Sequence, residues 1–204
     1  MFIGRWNKSV ILTYIGLIVS IFGIYICFNN LNKINIAISC LIIAGICDLF
    51  DGAIARKCKR IEEEKKFGVE LDSLVDVIDF IALPIAIFFG LQLNTWYNLL
   101  LIGLFAICGI ARLAYFNSTL EDSSNPVQYY WGLPVTYTAL IFPIVYLLKY
   151  IVPSNVFNAI FTLLIGLVAI LNIVKIKFIK PKGKAYLFFG ILAIAVLVLY
   201  LGVL

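Results

Sequence analysis

Five of the six aspartates in this 204-residue chain fall between residues 48 and 79, and their spacing is helical. Asp48, Asp51, Gly52, Ala55 and Arg56 stand at i, i+3, i+4, i+7 and i+8, which is one face of a helix. Gly68, Asp72, Asp76 and Asp79 stand at i, i+4, i+8 and i+11, again one face. If these faces meet, four carboxylates converge, and such a set holds hard divalent cations, with room for two ions a few Å apart. Acids that cap helix ends or pair with nearby lysines have no reason to keep this regular spacing on two successive helices.

The setting of these acids makes them costly. The chain is 63% hydrophobic and only 13% charged, with a mean hydropathy of +1.06. Soluble domains run nearer 45–50% apolar and about 25% charged. The composition therefore excludes an ordinary globular enzyme, a disordered chain and a nucleic-acid-binding domain, and leaves a polytopic membrane protein of one domain, residues 1–204. A carboxylate at the centre of a membrane helix costs roughly 2.5–3.5 kcal/mol on insertion scales, so a cluster of them needs an offsetting partner, and a bound cation is one. There is no histidine, which excludes Ser-His-Asp hydrolysis and His-ligated zinc or haem. The five cysteines include no C-x-x-C pair; Cys27, Cys40, Cys47 and Cys108 lie in or beside apolar runs and read as core residues without disulfides.

The elements that must position the aspartates are membrane helices, each needing about 20 apolar residues. Seven stretches are expected: Ser9–Phe28, Ile34–Ala55, Gly68–Leu93, Thr95–Tyr115, Leu133–Leu148, Asn155–Val174 and Ala185–Leu204. Six remain if the short fifth stretch or the last is lost. The first is too long for a signal peptide and lacks a cleavage pattern, so it is read as a retained span. Fourteen of the sixteen Lys and Arg residues fall in the segments on the N-terminal side of the membrane. The Lys/Arg bias places that side, with the N-terminus and the aspartates, in the cytoplasm of a multi-pass cell-membrane protein. Met1–Lys8, with Trp6, is expected along the interface, Lys57–Lys66 as a charged loop within the dozen or so residues that join the second and third spans, and Lys175–Lys184 as an orienting run that touches anionic lipid.

Read together, Asp48-x-x-Asp51-Gly52-x-x-Ala55-Arg56, then eleven residues, then Gly68-x-x-x-Asp72-x-x-x-Asp76 resembles the signature of the CDP-alcohol phosphotransferases. The gap between Arg56 and Gly68 is longer than the family's commonest spacing. Phe67-Gly68-Val69-Glu70-Leu71-Asp72-Ser73-Leu74-Val75-Asp76, Ala111-Arg112-Leu113-Ala114-Tyr115-Phe116-Asn117 and Trp131-Gly132-Leu133-Pro134 are similar to the phosphatidylserine synthase branch. The chain departs from that branch at Asp79-Phe80-Ile81-Ala82-Leu83-Pro84, where Ser-Phe-Gly-Val-Ala-Pro is usual.

The resemblance implies an all-α membrane bundle that moves the phosphatidyl group of CDP-diacylglycerol or CDP-archaeol onto the hydroxyl of L-serine and releases CMP. It implies Mg²⁺ or Mn²⁺, two ions, on Asp48, Asp51, Asp72 and Asp76, with Asp76 also taking the proton from serine and Asp72 beside it. Gly52, Ala55, Arg56 and Gly68 would meet the nucleotide. The glycine and alanine alternatively serve helix packing, and Arg56 alternatively serves as an orienting charge. Arg112 would fork onto the serine carboxylate or else snorkel as an anchor. Asp79 would hold the ammonium or act as a structural pair, and Asn117 would shape the acceptor site. Membrane lipids and a second copy of the chain are the implied partners. Glycerol 3-phosphate or inositol phosphate as acceptor, and a cation channel or transporter built on the same aspartates, are the competing readings. The scarcity of basic residues around Arg112 favours a zwitterionic acceptor over a phosphorylated one.

Overall fold

The structure is a computed structural model that describes residues 7–29, 33–121, 129–179 and 184–203, together with Gly4. The expectations for Trp6, Arg5, Lys180 and Lys182 lie outside the described residues. The described residues form a bundle of eight α-helices: α1 (Ile11–Asn29), α2 (Ile34–Lys57), α3 (Glu62–Val77), α4 (Leu83–Gly90), α5 (Trp96–Glu121), α6 (Thr138–Tyr146), α7 (Ser154–Ile173) and α8 (Lys184–Val203). A π-helical turn, Ile78–Ala82, joins α3 to α4, so the two form one apolar rod from Glu62 to Gly90. Five rods are long and apolar enough to cross a membrane, and two shorter ones, Val135–Tyr150 and Leu187–Gly202, coincide with the fifth and seventh predicted stretches. The protein is a multi-pass membrane protein. Large apolar side chains face outward, for example Ile18, Ile107 and Leu163, as a lipid-facing surface requires.

Two local expectations change and a third holds. The charged loop is only Cys58–Ile61, because α3 starts at Glu62 and takes in the glutamates and Lys65 and Lys66. Glu64 accepts hydrogen bonds from the Ile61 N–H (3.0 Å) and from Asn7 Nδ2 (3.1 Å), which caps the new helix. Three acids in the first turn also suit the positive end of the helix dipole. Second, strands β1 (Tyr129–Trp131) and β2 (Lys177–Ile179) pair antiparallel, so part of the lysine-rich run is structured. Lys177 there stacks its ammonium over the Trp131 ring at 5.3 Å. Third, the polar break at Asn94-Thr95 does divide two helices, with Gln92 in the left-handed region at φ 62°. All five cysteines are free.

At the centre, Phe88 of α4, Phe105 of α5, Phe142 of α6 and Phe161 of α7 form an aromatic cluster with centroids 5.0–5.9 Å apart, edge-to-face except for the tilted Phe142–Phe161 pair. The small residues Gly45 and Ala139 bring α2 and α6 together: a Cβ on Gly45 would stand 2.5 Å from that of Ala139. Pro84 lacks the N–H that would reach the Phe80 carbonyl four residues back. The buried Thr138 hydroxyl donates its one proton to the Val135 carbonyl at 2.7 Å, and the Phe80 carbonyl lies 3.3 Å from the same oxygen. Thr138→Val is expected to destabilise the protein by about 1–2 kcal/mol, the cost of a lost buried hydrogen bond. A lowered midpoint of thermal unfolding in detergent, with the helical content intact below it, checks this.

Candidate active site

The aspartates come from the last turns of α2 and the second half of α3, at the end of the bundle where the short Cys58–Ile61 connection turns the chain. Asp48, Asp72 and Asp76 each offer a carboxylate oxygen within 4.8 Å of the others. They border a cavity of about 340 Å³. α2 contributes Gly52, Ala53 and Arg56 to its lining, and α5 contributes Arg112 and Phe116. The roof is Pro134, Thr136 and Tyr137 before α6, and Phe189 and Ala193 of α8 close the side.

The predicted faces are divided in two by the helix geometry. Asp48 and Gly52 point to the cavity, whereas Asp51, three residues on from Asp48, turns toward α1, where its Oδ2 accepts from Thr13 Oγ1 at 3.2 Å. Asp51 stays beside Asp72, so it adjoins the three-carboxylate group without lining the cavity. Ala55 and Gly68 do not border the cavity either. Next to Gly68 lies Arg60, whose Nη1 would sit 3.7 Å from an added Cβ.

Asp79 departs furthest from expectation. It is 3% exposed and falls in the π-helical turn, which rotates it away from the Asp72–Asp76 stripe. Its Oδ2 would be 3.0 Å from a Cβ on Gly16 of α1, and its Oδ1 has no hydrogen-bond partner among the described residues. It does not line the cavity, so the geometry places no acceptor ammonium against it. Asn117 is also off the cavity, but its amide bonds Ser73, which lines it. The Arg112 guanidinium lies over the Phe116 ring at 5.3 Å.

Several wall residues were not legible in the sequence. Ser73 sits inside the Glu70-Leu71-Asp72-Ser73-Leu74 run but carries no charge to mark it. Phe189 and Ala193 belong to an apolar span with no polar signal at all; only the packing of α8 against α2 brings them to the site.

The donor set fits a divalent cation. Three buried or half-buried carboxylates from two helices supply hard oxygen ligands, and neither nitrogen nor sulfur ligands stand among them. The CDP-alcohol phosphatidyltransferase family model matches residues 6–203. The chain belongs to that family. Among family relatives, it is 36% identical over 115 residues to the CDP-diacylglycerol–serine O-phosphatidyltransferase of Saccharomyces cerevisiae, covering 53% of this chain and 41% of the relative. It is 32% identical over 128 residues to the archaetidylserine synthase of Methanothermobacter thermautotrophicus, covering 62% and 49%. It is 32% identical over 154 residues to the CDP-diacylglycerol–serine O-phosphatidyltransferase of Methanocaldococcus jannaschii, covering 74% and 67%. The chain thus spans about half or less of the length of the first two relatives.

Proposed function

We propose that this protein transfers the phosphatidyl group of CDP-diacylglycerol, or its archaeol counterpart, to the hydroxyl of L-serine and releases CMP. The observation that carries the proposal is the convergence of Asp48, Asp72 and Asp76 on one cavity that Arg56 and Arg112 also line. The relatives named for serine transfer support the acceptor.

In this reading Asp48, Asp72 and Asp76 hold a divalent cation, Mg²⁺ or Mn²⁺, and Asp51 beside Asp72 extends the set to a second ion. A cation held there would supply positive charge to offset the diphosphate and to polarise the attacked phosphorus. Gly52 leaves α2 without a side chain at the cavity wall, so the nucleotide lies close to the helix, and Arg56 meets its phosphate or ribose. Arg112 forks onto the acceptor's carboxylate. Asp76 accepts the proton as the serine oxygen forms its bond to the lipid phosphorus; the bond from that phosphorus to the CMP oxygen breaks, and CMP leaves. The site opens to the cytoplasm of the cell membrane, residues 1–204 act as one membrane-embedded unit, and two copies associate. Ion conduction through the aspartates does not account for Gly52 and Arg56 beside them, and the cavity is walled by α8.

The test is an acceptor screen on the purified protein with CDP-diacylglycerol and labelled L-serine, glycerol 3-phosphate or inositol phosphate. Serine-labelled lipid equimolar with CMP is expected. Chelation by EDTA should abolish it, and added Mn²⁺ or Mg²⁺ should restore it. Label from glycerol 3-phosphate alone would show a different acceptor, and metal flux into liposomes without CMP release would point to transport instead.

A further inference from the structure

The contact between Ser73 and Asn117 has a consequence for the acceptor. Asn117 Nδ2 lies 2.8 Å from Ser73 Oγ, and Asn117 Oδ1 lies 3.1 Å from it. Both amide atoms hang on one carbon, so one hydroxyl cannot meet both at good angles. The shorter contact is the amide N–H donating to the hydroxyl oxygen. A serine hydroxyl has one proton and two lone pairs. Accepting from Asn117 uses a lone pair and leaves the proton to be donated elsewhere, and Ser73 borders the cavity while Asn117 does not. Asn117 belongs to the same helix, α5, as Arg112 and Phe116, and those two residues line the same cavity as Ser73.

We infer that Ser73 donates its hydroxyl proton to the carboxylate of an amino-acid acceptor, beside Arg112, and that Asn117 is a positioning residue that orients that hydroxyl. A guanidinium and a hydroxyl lining one cavity give a carboxylate both a charged and a neutral donor, which a phosphate or a bare alcohol does not require. The inference rests on the proposed serine transfer and names the atoms that read the acceptor.

The test compares L-serine with serinol, which keeps the amine and hydroxyl but lacks the carboxylate, in the full-length protein with CDP-diacylglycerol and Mn²⁺. Ser73→Ala is expected to raise KM for serine about tenfold, with kcat and KM for CDP-diacylglycerol little changed, and to leave serinol turnover unaltered. Ser73→Thr keeps the hydroxyl and should restore most of the affinity. Asn117→Asp replaces the donor by an acceptor, draws the Ser73 proton away from the cavity and should reproduce the Ser73→Ala effect. The double variant should then add nothing further. Unchanged KM for serine in Ser73→Ala, or equal losses on serine and serinol, overturns the inference while the proposed function stands. Wild-type protein that uses glycerol 3-phosphate and not serine overturns both.

Discussion

Asp76→Asn is expected to lower transfer by about 10²–10⁴-fold, the range associated with loss of a general base, while CDP-lipid still binds. Asparagine matches aspartate in size, so α3 keeps its packing, and the amide cannot take a proton from the acceptor hydroxyl. Asp76 is placed for that role because it shares the cavity with Asp48 and Asp72 and lies one helical turn from Asp72. It is also one of the three carboxylates that can hold the cation, so the variant should need more Mn²⁺ for its residual activity. Measuring CMP release in a single turnover, alongside binding of a fluorescent CDP-lipid, separates the two effects. Near wild-type turnover would show that another group takes the proton.

Gly132→Ala should have a comparable consequence for the fold. Gly132 adopts φ +71°, a region that costs an L-residue roughly 1–2 kcal/mol. A Cβ there would stand 2.2 Å from the Asn172 carbonyl oxygen, a backbone atom of α7 that no rotamer change can move. The loop is tied to α7 and its exit by Gly132 N–H to the Ile176 carbonyl (3.0 Å) and Leu133 N–H to the Leu171 carbonyl (2.8 Å). Forcing the loop away weakens both bonds, each worth about 1 kcal/mol. Together these give a loss of about 3–4 kcal/mol, and Pro134, Thr136 and Tyr137, which follow directly, would leave the cavity roof. Detergent melting and transfer activity should fall together. Gly103→Ala is the control: nothing lies within 4 Å of its added Cβ, so α5 should be unaffected or gain up to about 1 kcal/mol in helix propensity. Equal effects at the two glycines would refute the assigned cause.

Much of the architecture is legible in the chain because a membrane imposes a length and a composition on every span. The breaks at Asn94-Thr95 and before Leu133 follow from polar and proline-bearing residues that a lipid-facing helix avoids. Polar side chains inside apolar runs likewise stand out, which is why Asp48, Asp72 and Asp76 could be named in advance. The start of α3 is not legible in the sequence, because charge in a helix's first turn reads like a loop and only the Glu64 cap distinguishes them.

The aspartates and their helical period were thus determined by local sequence, since the period of an α-helix fixes which side chains share a face. A shared face is about 100° wide, however, and does not say which edge of it meets which neighbour. Tertiary packing made that choice: α1 draws Asp51 toward Thr13, the π-helical turn carries Asp79 back to Gly16, and α8 brings apolar Phe189 and Ala193 to the wall. It also joined Ser73 to Asn117, 44 residues apart. Such contacts depend on where helices cross, which is set by the fit of small and large side chains across whole interfaces and is written in no single segment.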